Sequence, residues 1–100
     1  MYKVLVFLKK TNEEKVINHF KDFFAKYFSD LTGKELSIGE VESNLLLEVK
    51  YSLFFELDIE SKEKWEQLLG SEAGKNLEKD LVEFHKYITI IFINYEHLLN

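Results

Sequence analysis

The sequence predicts an α+β domain whose elements follow the order β-α-β-β-α-β. Three observations carry that prediction. Four segments have the β-branched and aliphatic character, or the strict alternation, of strands. Two stretches between them place apolar residues at the 3–4 residue spacing of a helix face. No repeat, linker or low-complexity segment divides the 100 residues, so residues 1–100 are read as one domain with one core.

Residues 2–9, YKVLVFLK, form the first strand. Tyr2, Val4, Val6 and Leu8 share one face, and Leu5 and Phe7 sit on the other, so both faces are apolar at the centre. Thr11 followed three residues later by Glu14 is a capping-box signature for a helix start. Val16, Ile17, Phe20, Phe23, Phe24, Tyr27, Phe28 and Leu31 then trace the apolar face of that helix, and Gly33 ends it.

Residues 35–43 read as a second strand, polar enough for a sheet edge, and Ser43-Asn44 opens a connection. Residues 49–59 form the third strand. There Val49, Tyr51, Leu53, Phe55, Leu57 and Ile59 alternate with Lys50, Ser52, Phe54, Glu56 and Asp58. Ser61 caps a short helix carrying Trp65, Leu68 and Leu69. Gly70 breaks it, and Ser71 caps a second piece with Leu77, Leu81, Val82 and Phe84 inward. Residues 87–95, YITIIFINY, are the last strand, apolar on both faces, and residues 96–100 are a short tail.

This order is the split βαβ, or ferredoxin-like, arrangement with a four-stranded antiparallel sheet. Two helices can cover only one face of a four-stranded sheet. The first and last strands are nevertheless apolar on both. A second apolar face left in water exceeds what soluble monomers tolerate. The expectation is a homodimer with sheets packed face to face about a two-fold axis.

The composition closes off several function classes. Thirteen basic against 18 acidic residues gives a net charge of −5, the wrong sign for a phosphate backbone, so no nucleic-acid partner is expected. No apolar run approaches the ~18 residues of a membrane span, and no signal-peptide pattern opens the chain. The absence of cysteine excludes disulfides, thiolate metal sites and cysteine nucleophiles, and accords with a cytoplasmic location. No Gly-rich phosphate loop is present, no two histidines have the spacing of a helical metal site, and neither a metal nor another cofactor is expected.

Several stretches resemble the EthD-like branch of the dimeric α+β-barrel superfamily, and the resemblance runs through residues 2–95. SLFFELDIES (52–61) looks like that family's third strand and the turn into its second helix. Ser71-Glu72-Ala73-Gly74, with Asp80-Leu81 and Phe84 after it, resembles an S-P-E-G…D-L-x-x-F signature, and ITIIFINYE (88–96) resembles the closing strand. The departures are informative. Where many relatives carry H-x-P-L near the end of the first helix, this chain has Phe28-Ser29-Asp30-Leu31 and keeps only the leucine. In the S-P-E-G signature, Glu72 stands for the proline and Ala73 for the acid.

The resemblance implies a ferredoxin-like subunit and a dimer. For activity it implies cofactor-free oxygenation, isomerisation or dehydration of an apolar or aromatic molecule, or a non-catalytic binding or assembly role. Haem degradation is disfavoured, because the Asn, Trp and His of the haem-degrading relatives fall near Phe7, Ile59 and Glu78.

Candidate site residues follow. Glu56 alternates with inward residues on a strand expected to be central. It suits acid–base work if desolvated, or a bridge to Lys3, Lys9 or Lys50. His19 and His85 each neighbour an inward phenylalanine and are the candidate general bases, with a half-exposed boundary position as the plainer reading. Phe24, Tyr27, Phe28, Tyr51 and Trp65 are the candidate walls of a helix–sheet pocket for a flat ligand, with plain core as the alternative. Asp80 reads as a local hydrogen-bonding residue that holds its helix.

Overall fold

The computed structural model describes residues 2–43, 45 and 48–95. Asn44 and residues 96–100, with His97 and the end of the family-like closing strand, lie outside them. Strand β1 (Tyr2–Lys9) is followed by helix α1 (Glu14–His19), a π-helical turn (Phe20–Phe24) and helix α2 (Ala25–Thr32), which together run as one continuous helix. Then come β2 (Gly39–Glu40), β3 (Tyr51–Ile59), α3 (Lys62–Leu69), α4 (Glu72–Phe84), a 3₁₀ turn (His85–Tyr87) and β4 (Ile88–Asn94). The strands form one antiparallel sheet in the order β2-β3-β1-β4, the ferredoxin-like topology. Among the described residues no helix is long and apolar enough to cross a membrane.

Register fixes the two faces. Val4 pairs with Leu57 and Phe92, and Val6 with Phe55 and Ile90, on the face the helices cover. Val4, Val6 and Leu8 are fully buried there. Leu5 pairs with Glu56 and Ile91, and Phe7 with Phe54 and Thr89, on the open face.

The π-helical turn corrects the sequence reading of the first helix. Val16, Phe20, Phe24 and Phe28 recur every four residues, whereas a straight α-helix drifts about 40° over each four-residue step. One widened turn takes up that drift. Phe20, Phe24 and Phe28 are all 0% exposed, while Phe23, read as inward, is 53% exposed. Val82, also read as inward, is an exposed residue of α4. Thr11 is not the cap. Its Oγ1 accepts from the Glu13 N–H at 3.1 Å, and Glu13 precedes the first turn without a side-chain cap. Gly33 ends α2 as expected, at φ 70°.

Two strand boundaries also differ. Of the expected 35–43 strand, Gly39–Glu40 forms the strand paired with β3, the Val41 N–H adds a hydrogen bond to the Ser52 carbonyl at 2.9 Å, and Leu36 and Ile38 pack against the core. Near the start of β3, Leu8 pairs with Leu53 but Lys9 pairs with Tyr51, so Ser52 is an extra residue in the ladder. Such a bulge sends the residues before it to the opposite face.

The junction of α3 and α4 is tight. Ser61 and Ser71 both act as N-caps, accepting from the Lys64 and Gly74 N–H groups at 3.0 and 3.2 Å. The Ser71 hydroxyl also donates to the Leu68 carbonyl at 2.5 Å. Gly74 is buried under the end of α3, where a Cβ would collide with the carbonyl oxygens of Leu68 and Leu69.

Candidate functional site

The open sheet face carries Leu5, Phe7, Phe54, Ile91 and Ile93 between a charged end and an aromatic end. At the charged end Lys3 lies 3.3 Å from Glu56 Oε1 and 3.6 Å from Asp58 Oδ1. The hydrogen bond to Glu56, with the charges of Glu56 and then Asp58, holds the Lys3 ammonium above its ordinary range. Glu56 is thus an ion-paired carboxylate, its side chain 48% exposed, and Lys3 is the partner among the three lysines considered. At the other end the bulge brings Tyr51 against Phe7, with ring centroids 4.6 Å apart. Phe54 also packs on Phe7, at 4.9 Å. Tyr51 therefore belongs to the open face, not to the helix–sheet layer where alternation put it.

His19 lies between α1 and α4. Its Nε2 is 2.6 Å from Asp80 Oδ1, and its ring packs against Phe84 at 4.6 Å and Phe23 at 5.5 Å. Asp80 is 10% exposed, and its Oδ2 is buried without a partner among the described residues. Asp80 thus bonds across the helix layer to His19 rather than within its own helix. His85 goes elsewhere. It sits exposed in the 3₁₀ turn with Nδ1 3.1 Å from the Val82 carbonyl, and the structure does not bring it to His19.

The helix–sheet layer is filled with rings. Phe20, Phe24, Phe28 and Phe55 are at most 1% exposed. Phe28 meets Phe24 and Phe55 at 5.2 Å each and stacks on Trp65 at 5.9 Å. Phe24 and Phe28 are therefore core residues, which corrects their reading as pocket walls. Tyr27 is half-buried and lines a shallow surface groove with Leu31, Leu68 and Ala73.

A second groove lies at the edge of this layer. Phe92 points to the helix side of β4, yet it is 46% exposed, with Trp65 of α3 meeting it edge to face at 5.4 Å. Trp65, Phe92, Tyr2 and Leu69 wall a groove of about 410 Å³, with Lys62 and Glu66 on its rim. Of the residues singled out from sequence, this groove contains Trp65 but none of His19, His85 or Glu56. Alternation already placed Tyr2 with Val4 and Phe92 with Ile90. Their meeting with Trp65 needed the strand order, which brings β4 beside the start of β1. Among the described residues no group of three or more His, Asp or Glu side chains is arranged to hold a metal ion.

Comparison with solved structures agrees with this architecture. The chain is similar to an ethyl tert-butyl ether D (EthD) family protein from Bacillus halodurans, with TM-score 0.76 and 18% identity over 94% of this chain and 97% of that one. It is also similar to a protein from Arabidopsis thaliana, with TM-score 0.58 and 20% identity over 99% and 96%. At these identities the likeness is one of fold, and the fold is EthD-like. No protein-family model matches the sequence, and no curated protein matches it significantly.

Proposed function

We propose that the protein is a cytoplasmic homodimer that binds a small apolar or aromatic molecule in the Trp65–Phe92 groove. The observation that carries the ligand reading is Phe92, an aromatic ring on the covered face of the sheet that the helices leave half-exposed. Aromatic walls with a few polar groups at the rim suit a flat organic ligand. The dimer reading is supported by the row Leu5, Phe7, Phe54, Ile91 and Ile93 on a face that no helix or strand covers among the described residues. Each such side chain contributes about 1.5–3 kcal/mol when fully buried.

Binding without catalysis is the reading the geometry favours, since the candidate proton-moving groups lie outside the groove. Cofactor-free oxygenation, isomerisation or dehydration is the second reading. One observation favours it: a histidine oriented by a buried carboxylate, as a general base requires.

Two measurements test the proposal. Light scattering at micromolar concentration is expected to give twice the chain mass, and a stable soluble monomer would overturn the dimer. Trp65 is the single tryptophan, so its fluorescence reports on the groove directly. A panel of aromatic acids and quinones that leaves its emission unchanged would overturn the ligand reading.

A further inference from the structure

We propose that the ligand of the Trp65–Phe92 groove is a planar aromatic carboxylate, its ring against the two aromatic side chains and its carboxylate on Lys62. The inference rests on the ligand reading above and deepens it. Trp65 and Phe92 meet edge to face, with an interplanar angle of 70°, which leaves a corner that a flat ring can fill against both. Leu69 and Tyr2 close the apolar sides.

Charge at the rim selects the polar end of the ligand. Lys62 is the first residue of α3 and makes no ion pair among the described residues, not even with Glu66 one turn further on. An unpaired ammonium beside the positive end of a helix attracts an anion. Glu66 repels one, and stands about 6 Å along the helix axis from Lys62. The two charges therefore admit one orientation, with the carboxylate toward the start of α3 and the ring toward Phe92. A neutral ligand of the same shape keeps the ring contacts and loses the ion pair. Lys62 is thus a specificity-determining residue.

The test compares 2-naphthoate with 2-naphthalenemethanol by titration of Trp65 fluorescence in the full chain. The carboxylate is expected to bind about fivefold more tightly, the ceiling of a solvated ion pair. Lys62→Gln is expected to remove that advantage while leaving the alcohol's affinity unchanged, and Glu66→Gln to strengthen naphthoate only. Both substitutions are at exposed positions, so folding is retained. Equal or tighter binding of the alcohol to the unaltered protein would overturn the carboxylate assignment and leave the groove standing as a site. Silence from both compounds would overturn the ligand reading itself. An unchanged naphthoate titration in Phe92→Ala would place the ligand elsewhere and overturn both.

Discussion

Gly74→Ala sets two physical effects against each other. In an ordinary helix the change is stabilising, because alanine exceeds glycine by about 1 kcal/mol in helix propensity. Gly74 lies in the first turn of α4, pressed on the end of α3, and a methyl group there would collide with two backbone carbonyl oxygens, those of Leu68 and Leu69. Overpacking a well-filled site costs about 1–3 kcal/mol. The upper end applies here, because backbone cannot swing aside as a side chain can. Relief would require pulling α4 away from α3, which also breaks the Ser71 bridge between Leu68 and Gly74. Subtracting the propensity gain leaves a net loss of about 2 kcal/mol. For a chain of this size that lowers the melting temperature by about 10 °C. Thermal and urea unfolding followed by circular dichroism would measure it. A Gly74→Ala protein that melts at or above the parent would refute the close approach. An intermediate loss, with Gly74→Ser worse than Gly74→Ala, would support it.

Three further outcomes are expected. Ile91→Asp places a charge on the open sheet face, so light scattering should show at least a 100-fold weaker dimer, about 3 kcal/mol, with the circular dichroism spectrum unchanged. His19→Leu leaves the buried Asp80 carboxylate without its partner and should cost about 1–3 kcal/mol in urea unfolding, most of it regained in His19→Leu/Asp80→Leu. Lys3 is held above its ordinary 10.5 by Glu56, so its contribution to stability is complete below that value and fades as pH rises through the raised one. Urea midpoints taken between about pH 9 and 12 should therefore fall more steeply for the parent than for Lys3→Met.

Periodicity made most of this fold legible. The alternation of β3, the doubly apolar β1 and β4, and the serine caps of α3 and α4 are local signals, and local physics reads them correctly. The misplacements cluster where one residue breaks a period. Ser52 shifts the β3 ladder by one, and Tyr51 changes face with it. The π-helical turn re-phases the first helix, and Phe23 rotates out to solvent. Neither break has a composition signal, since both are decided by tertiary fit. The candidate site divides the same way. Trp65 and His19 stand out as residue types, but the partners that give them meaning, Phe92 and Asp80, are 27 and 61 positions away. Only the strand order and the helix crossing bring those pairs together.

A π-helical turn holds one residue more than a plain helix of the same length needs. The segment Phe20–Phe24 is therefore a reserve of length inside an otherwise regular element. Lys21, Asp22 and Phe23 are its exposed members, and Lys21 or Asp22 can be deleted without removing a core side chain. After such a deletion the segment can close as ordinary α-helix. Val16, Phe20, Phe24 and Phe28 would then follow one another at spacings of four, three and four residues, which keep all four on one α-helical face. The chain thus has a built-in place where its first helix can change length by one residue while its two halves keep their internal packing. Insertions or deletions elsewhere in that helix would break one half or the other.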